Sequence, residues 1–199
     1  MLIAGAGSAG VGVASVLARA MAQEAEKVGG ATGFENIYLI DKDGLISTER
    51  NMPEDLMLFA KSPSDRTGIK EGLSIEEAVR VIKPVSWAAV GLSSCVVFWN
   101  ILLIFDVLSH QDALLGLSTV GGLFSEGVLN AMKDSTERPI IMPLSNPTAN
   151  AECTAEQVFN TIGSGAIFAS GSPFDNVKLP DGSEGYANQG NNAWSRRVC

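Results

Sequence analysis

Histidine is all but missing: His110 is the only one in 199 residues, so any chemistry that needs a histidine base has a single candidate. Cysteine is scarce too. Cys95, Cys153 and Cys199 are odd in number, far apart and without a CxxC pair, which argues against a disulfide framework or a cysteine metal site and for reduced intracellular thiols. The opening residues do not read as a secretory leader. Positive charge is in deficit, with 14 Lys and Arg against 22 Asp and Glu for a net charge of -8. No basic stripe is present to follow a nucleic-acid backbone, so nucleic acid is not an expected partner. That deficit does not exclude an anionic cofactor, because a few backbone amides suffice to bind a pyrophosphate locally. Apolar residues make up 46% of the chain, enough for one full core.

What is present begins at once. MLIAGAGSAGVGVASVLARAM runs three apolar residues into Gly5, Gly7 and Gly10 and then into an alanine- and leucine-rich helical pattern. This is the order strand, tight turn, helix. The first glycine permits the turn, the second lets backbone approach a pyrophosphate, and the third lets helix pack on strand, while the amides of Ser8 and Ala9 at the helix start face the charge. The helix is expected from Ala9 to about Val28. ENIYLID reads as a second strand ending at Asp41, an acid placed to accept from an adenosine ribose, although it stands 31 residues after Gly10 where about 20 is usual. Gly44 to Gly72 reads as a surface connection with one helical turn. Ser74 with Glu77, and Thr154 with Gln157, have the spacing of capping boxes. LLGLS, RPIIMPLSNPT and GAIFASGSPF supply further strands, Pro143 disfavouring a ladder hydrogen bond near the end of the second. The expected fold is α/β, a Rossmann-like, doubly wound, mostly parallel sheet with helices on both faces. The strand ends at Gly5, Asp41, Ser118, Asn146 and Ser170 then share one edge, where a ligand lies.

Asn146 precedes Pro147, which holds it extended, and its amide can donate to a carboxylate or a nicotinamide carbonyl; an ordinary Asn-Pro turn explains it as well. Asn191 and Asn192 in NQGNNAW invite the same two explanations. Ser170 and Ser172 are not set in a nucleophile elbow. Lys42 and Lys61 are available to a 2'-phosphate or are ordinary surface lysines, so NAD and NADP both stay open. Glu76 and Glu77 belong to a helix cap, and no acidic cluster suggests a metal site.

Taken in order, GAGSAGVGVA, YLIDKDGLI, LLGLSTVGGLFSEGVLNAM, RPIIMPLSNPTANAECTAEQVF, IFASGSPFDNVKLPDG and NQGNN resemble the NAD(P)-binding domain of malic enzymes. The resemblance covers nearly the whole chain apart from one internal segment and the last residues, where NNAWSRRVC departs from the family pattern. It implies an oxidoreductase that converts L-malate with NAD or NADP to pyruvate, CO2 and reduced cofactor, with Mg2+ or Mn2+ in the complete enzyme. It further implies that Gly5, Gly7, Ser8, Ala9 and Gly10 form the pyrophosphate turn, that Asp41 holds the ribose, and that Ser118 lines the cofactor. Asn146 and Asn192 would contact malate and the nicotinamide end, with Asn191 a supporting neighbour. The family's catalytic tyrosine, lysine and arginine and its acidic metal ligands belong to sequence before the first strand. No residue here is therefore assigned a catalytic or metal role; Tyr38 and Tyr186 do not replace the tyrosine. The isolated chain is expected to bind cofactor without turnover. An intracellular location, cytoplasmic or mitochondrial, and a homo-oligomer of the full-length protein are also implied.

Residues 85–111, from Val85 to Gln111, do not fit the single domain expected over 1–199. The 27-residue stretch VSWAAVGLSSCVVFWNILLIFDVLSHQ separates KP from DALLGLS, and its removal restores the family pattern in frame. Val-Ser can be encoded by a splice-donor sequence and Gln by an acceptor ending, so a translated intron is the expectation. The rival is a membrane span, since the 21 residues from Val85 to Phe105 carry no charge; Ser86, Ser93, Ser94 and Asn100 count against it, as does its place inside a sheet. Trp87, Trp99 and His110 fall within this stretch and are not site candidates. Three functions stand at this point: part of a malate-oxidising enzyme, a non-catalytic dinucleotide-binding module, and a single-pass membrane protein.

Overall fold

The structure, a computed structural model, describes residues 1–28, 34–64, 68–82 and 113–190. Residues 85–111 and Asn191 and Asn192 lie outside the described residues. Strand β1 (Leu2–Ala4) leads into helix α1 (Ser8–Val28), and β2 (Tyr38–Asp41) follows. Next come β3 (Gly44–Leu45), a single turn of helix α2 (Glu54–Met57) and α3 (Ile75–Val81). The second half runs β4 (Ala113–Gly116), α4 (Glu126–Ser135), β5 (Ile140–Pro143), α5 (Ala155–Ile162) and β6 (Ile167–Ser170). It closes with a small hairpin, β7 (Val177–Lys178) and β8 (Glu184–Gly185), and the edge strand β9 (Ala187–Gln189).

Among the described residues seven strands form one sheet in the order β3-β2-β1-β4-β5-β6-β9. All neighbours are parallel except β3, which turns back antiparallel on β2. The run β2-β1-β4-β5-β6 crosses over at β1/β4, the switch point at which open α/β sheets bind ligands. The expected doubly wound sheet is present, with an antiparallel hairpin added at one edge. Because β1 pairs with β4, the chain before residue 83 and the chain after 112 belong to one sheet. A polypeptide crossing a bilayer once between them could not make that pair.

Strands buried on both faces read as near-continuous apolar runs, and the central strands do so up to their carboxyl ends, where Asp41 and Ser170 stand. Leu2, Ala4, Tyr38, Ile40, Leu114, Ile141 and Phe168 pack with α3, α4 and α5 on one face. Met1, Ile3, Ile37, Leu39, Ala113 and Leu115 pack with α1 and Phe59 on the other. On α1, Gly10, Ala14, Ala18 and Met21 are buried, a helical stripe whose small residues let the helix approach the sheet closely. Both capping boxes form as expected: Ser74 and Glu77 cap α3, Thr154 and Gln157 cap α5. Pro143 is accommodated inside the sheet because β5 pairs with β6 only at Ile140 and Ile141, so the missing N–H faces β6 where that ladder has ended. Its carbonyl, on the same side, accepts from Gly171 at 3.0 Å.

Candidate functional site

The carboxyl edge of the sheet is built by backbone hydrogen bonds that tie each strand exit to the next. Gly5 N–H donates to Ile40 O at 2.8 Å, Leu117 N–H to Ala4 O at 2.8 Å, Leu144 N–H to Gly116 O at 2.9 Å, and Gly171 N–H to Pro143 O at 3.0 Å. Asp41, Gly5, Ser118, Asn146 and Ser170 therefore stand side by side in the order of their strands.

The three glycines of the first turn have three different surroundings. Gly5 has φ +123°, and a Cβ there would lie 2.5 Å from Leu117 O. Gly10 is closed still more tightly, since a Cβ would lie 1.7 Å from Gly5 O. At Gly7 a Cβ would meet nothing within 4 Å. Gly7, Ser8 and Ala9 are exposed, at the start of a 21-residue helix with no acidic residue in its first turn. The first amides of a helix have no partner within it, and its dipole favours an anion there. The turn is thus rigid where backbone packs on backbone at Gly5 and Gly10 and open at Gly7, where the helix begins.

Asp41 ends β2 half-buried, and its carboxylate already has partners. One oxygen accepts from Asp43 N–H at 2.8 Å, closing the turn into β3. The other pairs with Arg50, whose guanidinium also pairs with Glu71. Burial would lower Arg50's pKa, but hydrogen bonds and charge from Glu71 and Asp41 outweigh it and hold the pKa above its ordinary value. Glu71 in turn accepts from Ser47 N–H at 2.8 Å. Lys42 is exposed beside Asp43. Lys61 is not the surface lysine its sequence context suggests: it is buried, donates to Phe34 O at 2.7 Å and lies 5.0 Å from the Tyr38 ring centroid.

At the other end of the edge, Asn146 is exposed and joined to Pro147 by a cis peptide. Its Oδ1 accepts from Ser172 Oγ at 2.7 Å, and its Nδ2 donates to Leu144 O at 3.3 Å. Ser170, fully buried, donates to Ser172 O at 2.7 Å. The two serines thus orient the asparagine. Ser118 is half-buried and bonded to Glu152, a fully buried acid that sequence reasoning missed although it sits inside the quoted ECT run.

A cleft of about 510 Å³ lies elsewhere, between α4 and α5, with walls that include Glu126, Glu156, Asn130 and Asn160. Two carboxylates make it a poor host for a dinucleotide, whereas the helix start at Gly7 carries the complementary sign. Among the described residues no three His, Cys, Asp or Glu side chains converge on a metal site, and no helix is long and apolar enough to cross a membrane.

The family model for the malic enzyme NAD binding domain matches residues 1–99 and 108–195. The chain belongs to the malic enzyme family. Among relatives of this malic enzyme domain, NAD-dependent malic enzyme 2, mitochondrial, of Arabidopsis thaliana is 41% identical over 196 residues, covering 98% of this chain and 27% of the relative. The mitochondrial NAD-dependent malic enzyme of Solanum tuberosum is 39% identical over 198 residues, 96% of this chain and 27% of the relative. The NADP-dependent malic enzyme of Homo sapiens is 36% identical over 195 residues, 98% and 28%. The chain thus spans 27–28% of the length of these relatives. The break in the family match at 100–107 falls inside the 85–111 stretch that sequence alone sets apart.

Proposed function

We propose that this malic enzyme domain holds NAD or NADP along the carboxyl edge of its sheet, with the pyrophosphate on Gly5, Gly7, Ser8, Ala9 and Gly10, the adenosine ribose toward Asp41, and the nicotinamide end toward Ser118 and Asn146. In the complete protein the reaction is oxidation and decarboxylation of L-malate to pyruvate and CO2. When bound, the nicotinamide would supply a hydride acceptor for this oxidation. This chain's residues bind and orient it: helix-start amides offset the pyrophosphate charge, Asp41 accepts from a ribose hydroxyl, and Asn146, fixed by Ser172, presents its amide N–H to a carbonyl or carboxylate. Asn192, offered as a second substrate contact, lies outside the described residues. An intracellular location, cytoplasmic or mitochondrial, accords with plant relatives named mitochondrial, and a homo-oligomer with the family resemblance.

The observation that carries the proposal is the division of labour among the glycines, two closed by backbone and Gly7 alone left open at a helix start. That opening leaves the helix-start amides accessible to an approaching phosphate. Titration of the purified chain with NAD+ and NADP+, followed by calorimetry, tests it: saturable binding that Gly7→Val abolishes is expected, and binding of neither nucleotide by the folded chain would overturn it. Residues 85–111 are proposed to be foreign to the domain. Sequencing the transcript across Pro84 tests this, and a mature message carrying all 27 codons as the sole form would refute it.

A further inference from the structure

Glu152 is fully buried, yet no part of the cofactor proposal uses it. Its carboxylate collects donors from two separate turns. Oε1 accepts from Ser118 N–H at 3.1 Å, Ser118 Oγ at 3.0 Å and Ser145 Oγ, while Oε2 accepts more weakly from Ser145 N–H at 3.4 Å. Ser145 Oγ then accepts from Thr119 N–H at 2.9 Å. Thr119 sits at φ +59°, the only described non-glycine residue with positive φ, a conformation that disfavours a β-branched side chain and persists only when neighbours impose it. Strand β4 also makes room for the acid, since a Cβ at Gly116 would lie 2.3 Å from Glu152 Cδ.

A buried acid is costly unless its oxygens are well supplied with donors. Where packing alone mattered, an apolar side chain of similar size would serve without that cost. The donors to Glu152 are serine hydroxyls and main-chain amides, and they come from the two turns that carry Ser118 and Asn146. Glu152 itself does not reach the open edge, so whatever it does for a ligand is done through those turns.

We propose that Glu152 is a positioning residue for the cofactor edge: its carboxylate locks the Ser118–Thr119 turn to the Ser145–Asn146 turn, so that both face a bound nicotinamide in one fixed geometry. This rests on the nucleotide-binding reading above. It adds that the affinity depends on an acid the nucleotide never touches.

Glu152→Ala, Glu152→Gln and Ser145→Ala test it in the full 199-residue chain, with Thr154→Ala as a control that loses the α5 cap but no hydrogen bond to either turn. NAD+ affinity, thermal unfolding and amide hydrogen exchange at Ser118 and Thr119 are read on each, well below the melting temperature. Glu152→Ala is expected to weaken NAD+ roughly tenfold, as misplacement of a binding group does, and to speed exchange at both amides. Glu152→Gln keeps an oxygen for three of the four donors and should restore most of the affinity. Ser145→Ala, which removes only the bridging hydroxyl, should loosen Thr119 and fall between them, and it carries the test if Glu152→Ala does not fold. Thr154→Ala should melt earlier with unchanged affinity. Variants that bind like the parent chain, or lose affinity only as far as they lose folded population, would overturn the proposal. If the parent chain itself binds no nucleotide, the function reading fails separately; exchange in the ligand-free chain then decides Glu152, and equal protection of Thr119 with and without its carboxylate refutes the lock.

Discussion

Replacing Gly10 by alanine sets two effects of opposite sign against each other. Alanine is favoured over glycine inside a helix by roughly 0.5–1 kcal/mol, and Gly10 lies within the first turn of α1, so propensity alone predicts a more stable protein. The added methyl would sit 1.7 Å from Gly5 O, less than the length of any non-bonded contact. Neither side can yield cheaply. Gly5 is itself pressed against Leu117 O with φ +123°, and α1 is anchored along its buried stripe, so helix and turn must part by more than an ångström. Overpacking of this kind costs roughly 1–3 kcal/mol and occasionally more, so the steric effect wins. The expected net outcome is a loss of about 1–2 kcal/mol with weakened NAD+ binding, read from urea unfolding and nucleotide titration. Two neighbours calibrate it. Gly12→Ala, where a Cβ meets nothing within 4 Å, should gain roughly 0.5–1 kcal/mol in the same helix. Gly7→Ala, equally open, should leave stability almost unchanged and weaken nucleotide binding. A Gly10→Ala protein that unfolds at the same or higher urea concentration than the parent would refute the close approach of helix and turn.

Other consequences follow from particular side chains. Burial, aided by the charge of Glu152, pushes the Cys153 thiol up to about 12, so in the folded chain it should resist thiol reagents at pH 8 and react only on unfolding. The folded pKa lies above the unfolded one, so the native state holds its proton longer; stability should be unaffected below about pH 8.5 and fall as pH rises from there toward 12, by up to about 1.4 kcal/mol per unit. Arg50→Ala leaves Asp41 and Glu71 without the cation they share and should destabilise by about 1 kcal/mol at low salt, less at high salt where the charges are screened, as urea midpoints at the two ionic strengths will show. Thr154→Ala removes the hydroxyl that accepts from Gln157 N–H and should lower stability by about 1 kcal/mol without touching NAD+ affinity.

What the sequence discloses is what is encoded locally. The capping boxes at Ser74 and Thr154 depend on a partner three residues away, and the glycine turn with its flanking strand and helix occupies one unbroken stretch. The edge shared by Asp41, Ser118 and Asn146 follows from strand polarity once strands and helices alternate. β3, β7, β8 and β9, of two or three residues, are too short to show a period and, unlike β1, have no glycine turn and helix after them to mark them in sequence. Lys61 looks like a surface cation until the fold brings Phe34 O and the Tyr38 ring to it across 27 and 23 residues. Glu152 is the clearest case. Its donors at Ser118 arrive from 34 residues upstream, and nothing in ANAECTAE separates it from the solvated acid at Glu156. Arg50 is inconspicuous in sequence for the same reason, since its place between Asp41 and Glu71 exists only after the chain has folded.

The account stands on a nucleotide lying along the carboxyl edge of the sheet, and backbone amide shifts on addition of NAD+ to the isotopically labelled chain test that most directly. The account predicts the largest changes at Gly7, Ser8 and Ala9, with further changes at Asp43, Ser118 and Asn146. Changes confined to the cleft between α4 and α5, around Asn130 and Asn160, with the glycine turn unmoved, would contradict it.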